Sequence, residues 1–318
     1  MALQDLGLSR SGREGTLSKP FSISTGDNAI ASMTPVIAKG IAWFVAARPK
    51  TFVASLSPVS VGVALAWRDV EEFSPLLACL CFVFAILMQV GANFANDYFD
   101  FIKGADDART LGPKRAVASG LIAPQVMSLA AYGSLAVGFA LGLVLMYLSG
   151  MGWPLLLVGI ASVFCALLYT AGPFPLAYVG LGDLFVVLFF GLVATGVTHC
   201  VLVTQFSSEW EPSAWAGLAV GLMVNNLLVV NNHRDAKEDA ACGKRTLVAR
   251  FGRNFGVFLY LSGSVVALAF CPWRETGLSW TVWLLPWAVF LGFKLHRAQS
   301  RSDYAILLGG TAVLVLVY

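Results

Sequence analysis

The chain has 318 residues, 58% of them hydrophobic and only 12% charged, with a mean hydropathy of +0.75 and a net charge of +3. A soluble globular domain carries about 25% charged residues, so the composition excludes one and describes a polytopic helical membrane protein. It excludes a β-barrel too, because the apolar runs are far longer than about 10 residues and do not alternate.

Residues 1–40 are rich in Ser, Gly and Thr, interspersed with Arg10, Arg13 and Lys19. They lack a signal-peptide core and are expected to form a disordered cytoplasmic tail. Residues 41–318 are expected to form one transmembrane domain. The fold class is all-α, with nine transmembrane helices at about 48–67, 75–97, 124–148, 153–171, 181–205, 213–232, 254–272, 279–295 and 302–318. Each is near the roughly 20 residues that cross a bilayer. Gly and Pro interrupt several, which membrane helices tolerate. The six cysteines are scattered without metal or haem spacing and read as packing residues.

The basic residues set the orientation. With a cytoplasmic N-terminus, the leading stretch holds Arg10, Arg13, Lys19, Lys39, Arg48 and Lys50. The loop after span two holds Lys103, Arg109, Lys114 and Arg115. After span six come Arg234, Lys237, Lys244, Arg245, Arg250 and Arg253, and after span eight Lys294, Arg297 and Arg301. These are 19 of the 21 Lys and Arg residues; only Arg68 and Arg274 fall on the other side. The positive-inside rule then predicts a protein integral to a bacterial-type inner or plasma membrane.

Two acidic clusters close spans two and six on the predicted cytoplasmic face: Asn93 to Asp106, and Asn231 to Asp239. Carboxylates at membrane depth are costly and point to function. Residues three and four apart share a helix face. Gln89, Asn93, Asn96, Asp97 and Asp100 fall on one such stripe, and Asn231, Asp235 and Asp239 on another. Two facing stripes of hard oxygen donors suit one or two Mg²⁺ ions, leaving positions for phosphate oxygens. Among these residues His233 is the single imidazole and there is no thiol, which argues against zinc or copper. Basic residues follow both clusters: Lys103, Arg109, Lys114 and Arg115, then Lys244 and Arg245. They would balance the charge of a diphosphate. Gly104, Gly112-Pro113 and Gly243 mark loops expected to close over the site. Two blander alternatives stand beside this one: solvated helix caps, and an ion-coupled transporter, whose carboxylates usually lie nearer mid-membrane.

The two clusters closely resemble those of the UbiA superfamily of intramembrane prenyltransferases. So does Arg48-Pro49-Lys50-Thr51 at the first span. Asn96-Asp97-Tyr98-Phe99-Asp100 through Asp106 with Gly112-Pro113-Lys114-Arg115, Tyr169-Thr170, Tyr178 through Leu184, and Asn231-Asn232-His233-Arg234-Asp235 through Gly243-Lys244-Arg245-Thr246 resemble the branch that prenylates 1,4-dihydroxy-2-naphthoate. Gly104 stands where the wider superfamily often has a third Asp, and no Lys follows Tyr169 closely. Both departures favour the naphthoate branch over the hydroxybenzoate one.

The resemblance implies nine helices around a central cavity and an Mg²⁺-dependent reaction in menaquinone or phylloquinone biosynthesis. An isoprenyl diphosphate and an aromatic acceptor would be the partners, together with the lipid bilayer. Neither nucleic acid nor an obligate protein partner is called for. Asn96, Asp100, Asp235 and Asp239 are the preferred metal ligands, with Asn232 beside them and Asp97 and Asp106 holding a second ion or orienting the first. Lys103, Arg109, Lys114, Arg115, Arg234, Lys244 and Arg245 are expected on the diphosphate, and Arg48 and Lys50 on the acceptor carboxylate. Tyr169 would shield a carbocation. Asp183 is either a base or a helix cap. Homogentisate, hydroxybenzoate and haem remain open as acceptors.

Overall fold

The structure, a computed structural model, describes residues 35–106, 111–112, 115–204, 211–270 and 280–318. Of the tail expected over residues 1–40, residues 1–34 lie outside them, as do Arg109 and Lys114, and residues 35–40 open a helix. Among the described residues every regular element is helical. The helices are α1 (Pro35–Ala47), α2 (Phe52–Asp69), α3 (Pro75–Ile102), α4 (Pro124–Ser149), α5 (Trp153–Leu168), the single turn α6 (Leu176–Val179), α7 (Gly182–Val203), α8 (Glu211–Ala241), the short α9 (Leu247–Phe251), α10 (Arg253–Val265), α11 (Leu285–Arg297) and α12 (Arg301–Val317). Each predicted apolar segment therefore carries a helix.

Five helices, Gly40–Asp69, Pro75–Ile102, Pro124–Ser149, Gly182–Val203 and Ser213–Ala241, are long and apolar enough to cross a membrane. Trp153–Leu168 and Arg253–Ala269 are shorter apolar helices. Local chemistry fixes the ends. Ser74 accepts a hydrogen bond from the Leu77 N–H ahead of Pro75, and Ser300 and Asp303 form a capping box at the start of α12. Left-handed Gly150 ends α4.

Helix α8 is the axis of the domain. Of its apolar window 67% is buried, against 22–39% for the other four long helices. Val220, Met223, Val224, Val229 and Val230 pack there with Tyr260, Leu291, Leu295, Tyr304 and Leu314. A membrane interior offers no hydrophobic drive between helices, so close backbone approach and interhelical hydrogen bonds hold the bundle. Both occur. Helix α7 meets α8 at Gly191, Gly217 and Gly221, where a Cβ on Gly191 would lie 2.7 Å from the Gly221 Cα. The stretch Val186–Val193 of α7, beside this seam, is wound as a π-helix. Asn226 donates to Ser264 at 2.9 Å, and the Tyr260 and Thr311 hydroxyls lie 3.0 Å apart. At the other end of α2, Asp69 pairs with His199 at 2.9 Å.

The boundaries that carry the acidic clusters differ from expectation. Span two was predicted to end at 97 and span six at 232, but α3 runs to Ile102 and α8 to Ala241. Loss of hydropathy marks where the chain leaves an apolar environment, not where its backbone hydrogen bonding stops. Arg234 and Lys237, expected in a loop, are consequently on α8.

Candidate active site at the ends of two helices

Because α3 continues past its apolar part, its polar stripe is presented by a rigid helix, but the side chains do not all serve one purpose. Near the first turn of α2, Gln89 and Asn93 donate to the Thr51 hydroxyl at 3.2 and 3.0 Å, and Asn93 also donates to the Ala47 carbonyl at 2.8 Å. These amides clamp the Arg48–Thr51 turn, in which Arg48 is left-handed at φ 52°. A non-glycine residue there costs about 1–3 kcal/mol and persists only where its surroundings hold it. Asn96 accepts from the Thr170 hydroxyl at 2.8 Å. Asp97, expected near a metal, is turned elsewhere: its two oxygens accept from the backbone N–H groups of Ala116 and Val117 at 3.2 and 3.3 Å. It anchors that turn.

The Asp97-anchored turn delivers Arg115. This buried guanidinium pairs with Asp100 at 2.6 Å and Asp106 at 3.0 Å and donates to the Asn96 carbonyl at 2.6 Å. Burial opposes its charge, but Asp100, Asp106 and Asp97 together outweigh burial and keep it protonated. Expected as a diphosphate ligand, Arg115 is here the counter-charge of the first acidic cluster.

On α8, the Arg234 guanidinium donates to both oxygens of the adjacent Asp235, at 2.6 and 2.8 Å. Asp239 lies 3.6 Å from the Lys244 ammonium. Asn231 donates back to the Leu227 carbonyl of its own helix, Asn232 is buried, and His233 points to the Tyr304 hydroxyl at 3.0 Å.

Two tyrosines join the clusters. The Tyr178 hydroxyl donates to Asp100 at 2.8 Å, while Lys103 and Lys244 stand 4.7 and 5.6 Å from its ring centroid. One side chain therefore touches the first acidic helix and the cation paired with the second. Burial, then the Asp100 carboxylate, push the phenol above its ordinary range, so it is a neutral donor at physiological pH. Lys103 donates to the Thr170 carbonyl at 2.5 Å, and burial, partly offset by Asp100, lowers its ammonium from the usual lysine range. Tyr169 is half-buried just past α5, with its hydroxyl against Gly182, next to Asp183 in the chain. Asp183 accepts from Asn225 of α8 at 3.2 Å.

Arg48 is half-buried in the clamped turn and Lys50 is exposed. The residue that sequence reasoning left without a role is Tyr178, quoted only as part of a motif. Its signal was the one tyrosine in a Gly- and Pro-rich connection between spans, residues 172–182. Beyond it lies a cavity of about 510 Å³ lined by Lys103, Phe174, Pro175, Tyr178, Arg245 and Arg250 among others.

The donors suit a hard cation. Asp100, Asp235, Asp239 and the nearby amides offer oxygen, and His233, the one imidazole among them, is turned toward Tyr304. Among the described residues no three of His, Cys, Asp or Glu converge to hold an ion by themselves. Mg²⁺ in phosphate sites is commonly held by one or two carboxylates, with substrate oxygens and water completing the octahedron. The arrangement thus fits Mg²⁺ arriving with a diphosphate better than a protein-only cage.

Residues 55–307 match the model of the UbiA prenyltransferase family. The chain belongs to this family. A UbiA-family relative, the 1,4-dihydroxy-2-naphthoate octaprenyltransferase of Haemophilus influenzae, is 35% identical over 289 residues, 86% of this chain and 92% of that protein. The protein of the same description from Mycobacterium tuberculosis is 39% identical over 248 residues, 74% of this chain and 81% of the relative. The fold resembles that of a UbiA homologue from Aeropyrum pernix, with TM-score 0.63 at 19% identity over 85% of this chain and 97% of the other. It also resembles a UbiA homologue from Archaeoglobus fulgidus bound to DMAPP and Mg²⁺, with TM-score 0.57 at 12% identity over 86% and 98%. The chain is therefore an integral membrane prenyltransferase with the UbiA fold.

Proposed function

We propose that this UbiA prenyltransferase transfers an isoprenyl group from its diphosphate to 1,4-dihydroxy-2-naphthoate, releasing diphosphate and CO₂, in the biosynthesis of menaquinone or phylloquinone. The observation that carries the reading is Tyr178, in contact with Asp100 of one acidic helix and facing the Lys244 partner of the other. The names of the naphthoate prenyltransferase relatives support the acceptor.

In this reading nine spans surround a central cavity, and the N-terminal tail and the site face the cytoplasm, in line with 19 of 21 basic residues. The prenyl tail lies among the apolar spans. Asn96, Asp100, Asn232, Asp235 and Asp239 would hold Mg²⁺, with Asp106 nearby. When bound, the ion supplies a Lewis acid that spreads the charge of a departing diphosphate. Arg115, Lys103, Lys244 and Arg234 orient the phosphate oxygens and receive the negative charge as the allylic C–O bond breaks. The electron pair leaves with the diphosphate. Tyr169 and Tyr178 present ring faces and neutral hydroxyls to the remaining cation, and the buried surroundings exclude water from it. The ring carbon bearing the carboxylate attacks. The electrons of its bond to the carboxylate then restore aromaticity as CO₂ departs. Arg48, held in its strained turn, and Lys50 recognise that carboxylate before reaction.

Purified protein in detergent, given prenyl diphosphates of several lengths and a panel of aromatic acids, tests the proposal by product mass spectrometry. The expected product is the prenylated naphthoate lacking CO₂, formed with Mg²⁺, lost on chelation and recovered on readdition. Product from hydroxybenzoate or homogentisate alone would overturn the acceptor assignment. Activity confined to sealed vesicles would overturn the enzyme.

A further inference from the structure

The cavity of about 510 Å³ lies beyond both acidic helix ends. Lys103 follows the last turn of α3, and Gly243 and Arg245 follow the last turn of α8. Its charged lining among the described residues is Lys103, Arg245 and Arg250, with no carboxylate. The site cations differ from these in being matched to acids: Arg115 to Asp100 and Asp106, Arg234 to Asp235, Lys244 to Asp239.

The cavity walls are strapped together. The Arg245 N–H donates to the Tyr178 carbonyl at 2.9 Å, and the Arg250 guanidinium donates to the Val179 carbonyl at 3.0 Å. Between them Gly180 is left-handed at φ +87°, and a Cβ there would come within 2.9 Å of the Arg245 carbonyl oxygen. Only glycine suits both the backbone angle and the close approach. Tyr178 is a shared wall, since its hydroxyl reaches Asp100 while the residue also lines the cavity.

We infer that this cavity is a product site that takes inorganic diphosphate once it has left the acidic helix ends. The inference rests on the reaction proposed above. The donor's diphosphate is tethered to a tail in the apolar spans, and the acceptor must reach the allylic carbon on the tail side. Neither has reason to lie outside the carboxylates. Freed diphosphate does: it is a multiply charged anion, repelled by the carboxylates it leaves, facing a cavity that presents cations without acids. Arg245 and Arg250 receive it, and Lys103 and Tyr178 border both positions.

Inhibition of prenyl transfer by added sodium diphosphate, with Mg²⁺ in excess, tests this on the full chain in detergent. Losing one charge-assisted hydrogen bond is worth about tenfold in affinity. Arg250→Gln is expected to raise the inhibition constant about tenfold while moving the KM of either substrate by less than about threefold, and Arg245→Gln, at a residue also expected on the donor's diphosphate, to raise the inhibition constant more than the donor's KM. Arg250→Lys should recover part of the loss. Because Arg250 also straps Val179, Arg245→Gln, whose strap is its backbone N–H, keeps the test independent of loop damage. Unchanged inhibition in both Gln variants, or a substrate KM rising as much as the inhibition constant, would overturn the product site. Calorimetric binding of magnesium diphosphate without either substrate separates the two readings. A chain that binds it through Arg250 yet transfers no prenyl group keeps this site and loses the reaction; equal binding by wild type and both Gln variants removes the site alone.

Discussion

At the end of α3 the acids are balanced by Arg115, a residue brought in from a separate turn and fastened to Asp100, Asp106 and the Asn96 carbonyl. At the end of α8 two acids are paired with near neighbours in the chain: Asp235 with Arg234, Asp239 with Lys244. The first arrangement is part of the tertiary structure, because the turn carrying Arg115 is itself anchored by Asp97. The second is local: Arg234 adjoins Asp235 on α8, and Lys244 follows Asp239 by five residues, just past the helix end. One acidic helix end is thus tied to a distant turn of the chain, the other to its near neighbours in sequence.

The comparison breaks most sharply at Arg115. Arg115→Ala leaves two buried carboxylates without their shared cation and is expected to cost about 3–5 kcal/mol, read as a lower thermal midpoint in detergent. Next, Asp100→Asn and Asp239→Asn are each expected to lower kcat/KM about a hundredfold or more. Their melting behaviour should separate them, with Asp100→Asn losing stability as well and Asp239→Asn melting like wild type. Near-normal turnover in both would remove these residues from the site. Asp97→Asn keeps one accepting oxygen and gives up one charge-assisted bond, so it should cost about 1.5 kcal/mol in the same thermal assay. Tyr178→Phe retains the ring beside Lys103 and Lys244 but loses the hydroxyl on Asp100; a fall of about tenfold in kcat/KM is expected, against a larger fall for Tyr178→Leu. Last, Lys244→Ala should cost about 1 kcal/mol, the low end for losing the partner of a largely buried carboxylate, because Asp239 lies 3.6 Å away, beyond a good hydrogen bond.

Much of this was legible in the sequence. Long apolar runs place the helices, since any uninterrupted segment in a bilayer must satisfy its backbone internally. The three- and four-residue spacing identifies the acidic stripes. Helical spacing cannot distinguish members of one stripe, however, because what each side chain meets is decided by other elements. Gln89 and Asn93 meet the Arg48 turn, Asp97 meets the amides of Ala116 and Val117, and Asp100 meets Tyr178 and Arg115. All four lie on a stripe that reads as uniform. Arg115 read as one more basic loop residue, and Tyr178 as a letter in a motif, because their roles come from contacts across the bundle. The helix ends were misjudged for the same reason: the residues from His233 to Ala241 are polar but still helical.

The seam at Gly191, Gly217 and Gly221 acts as a caliper for two helices. Bare backbone against bare backbone sets how near α7 can come to α8, and with it the reach between Asp183 and Asn225. A single methyl group on any of these three carbons would push two main chains apart along their length. The protein would then feel, at its polar mouth, a change made deep among residues that carry no chemistry at all.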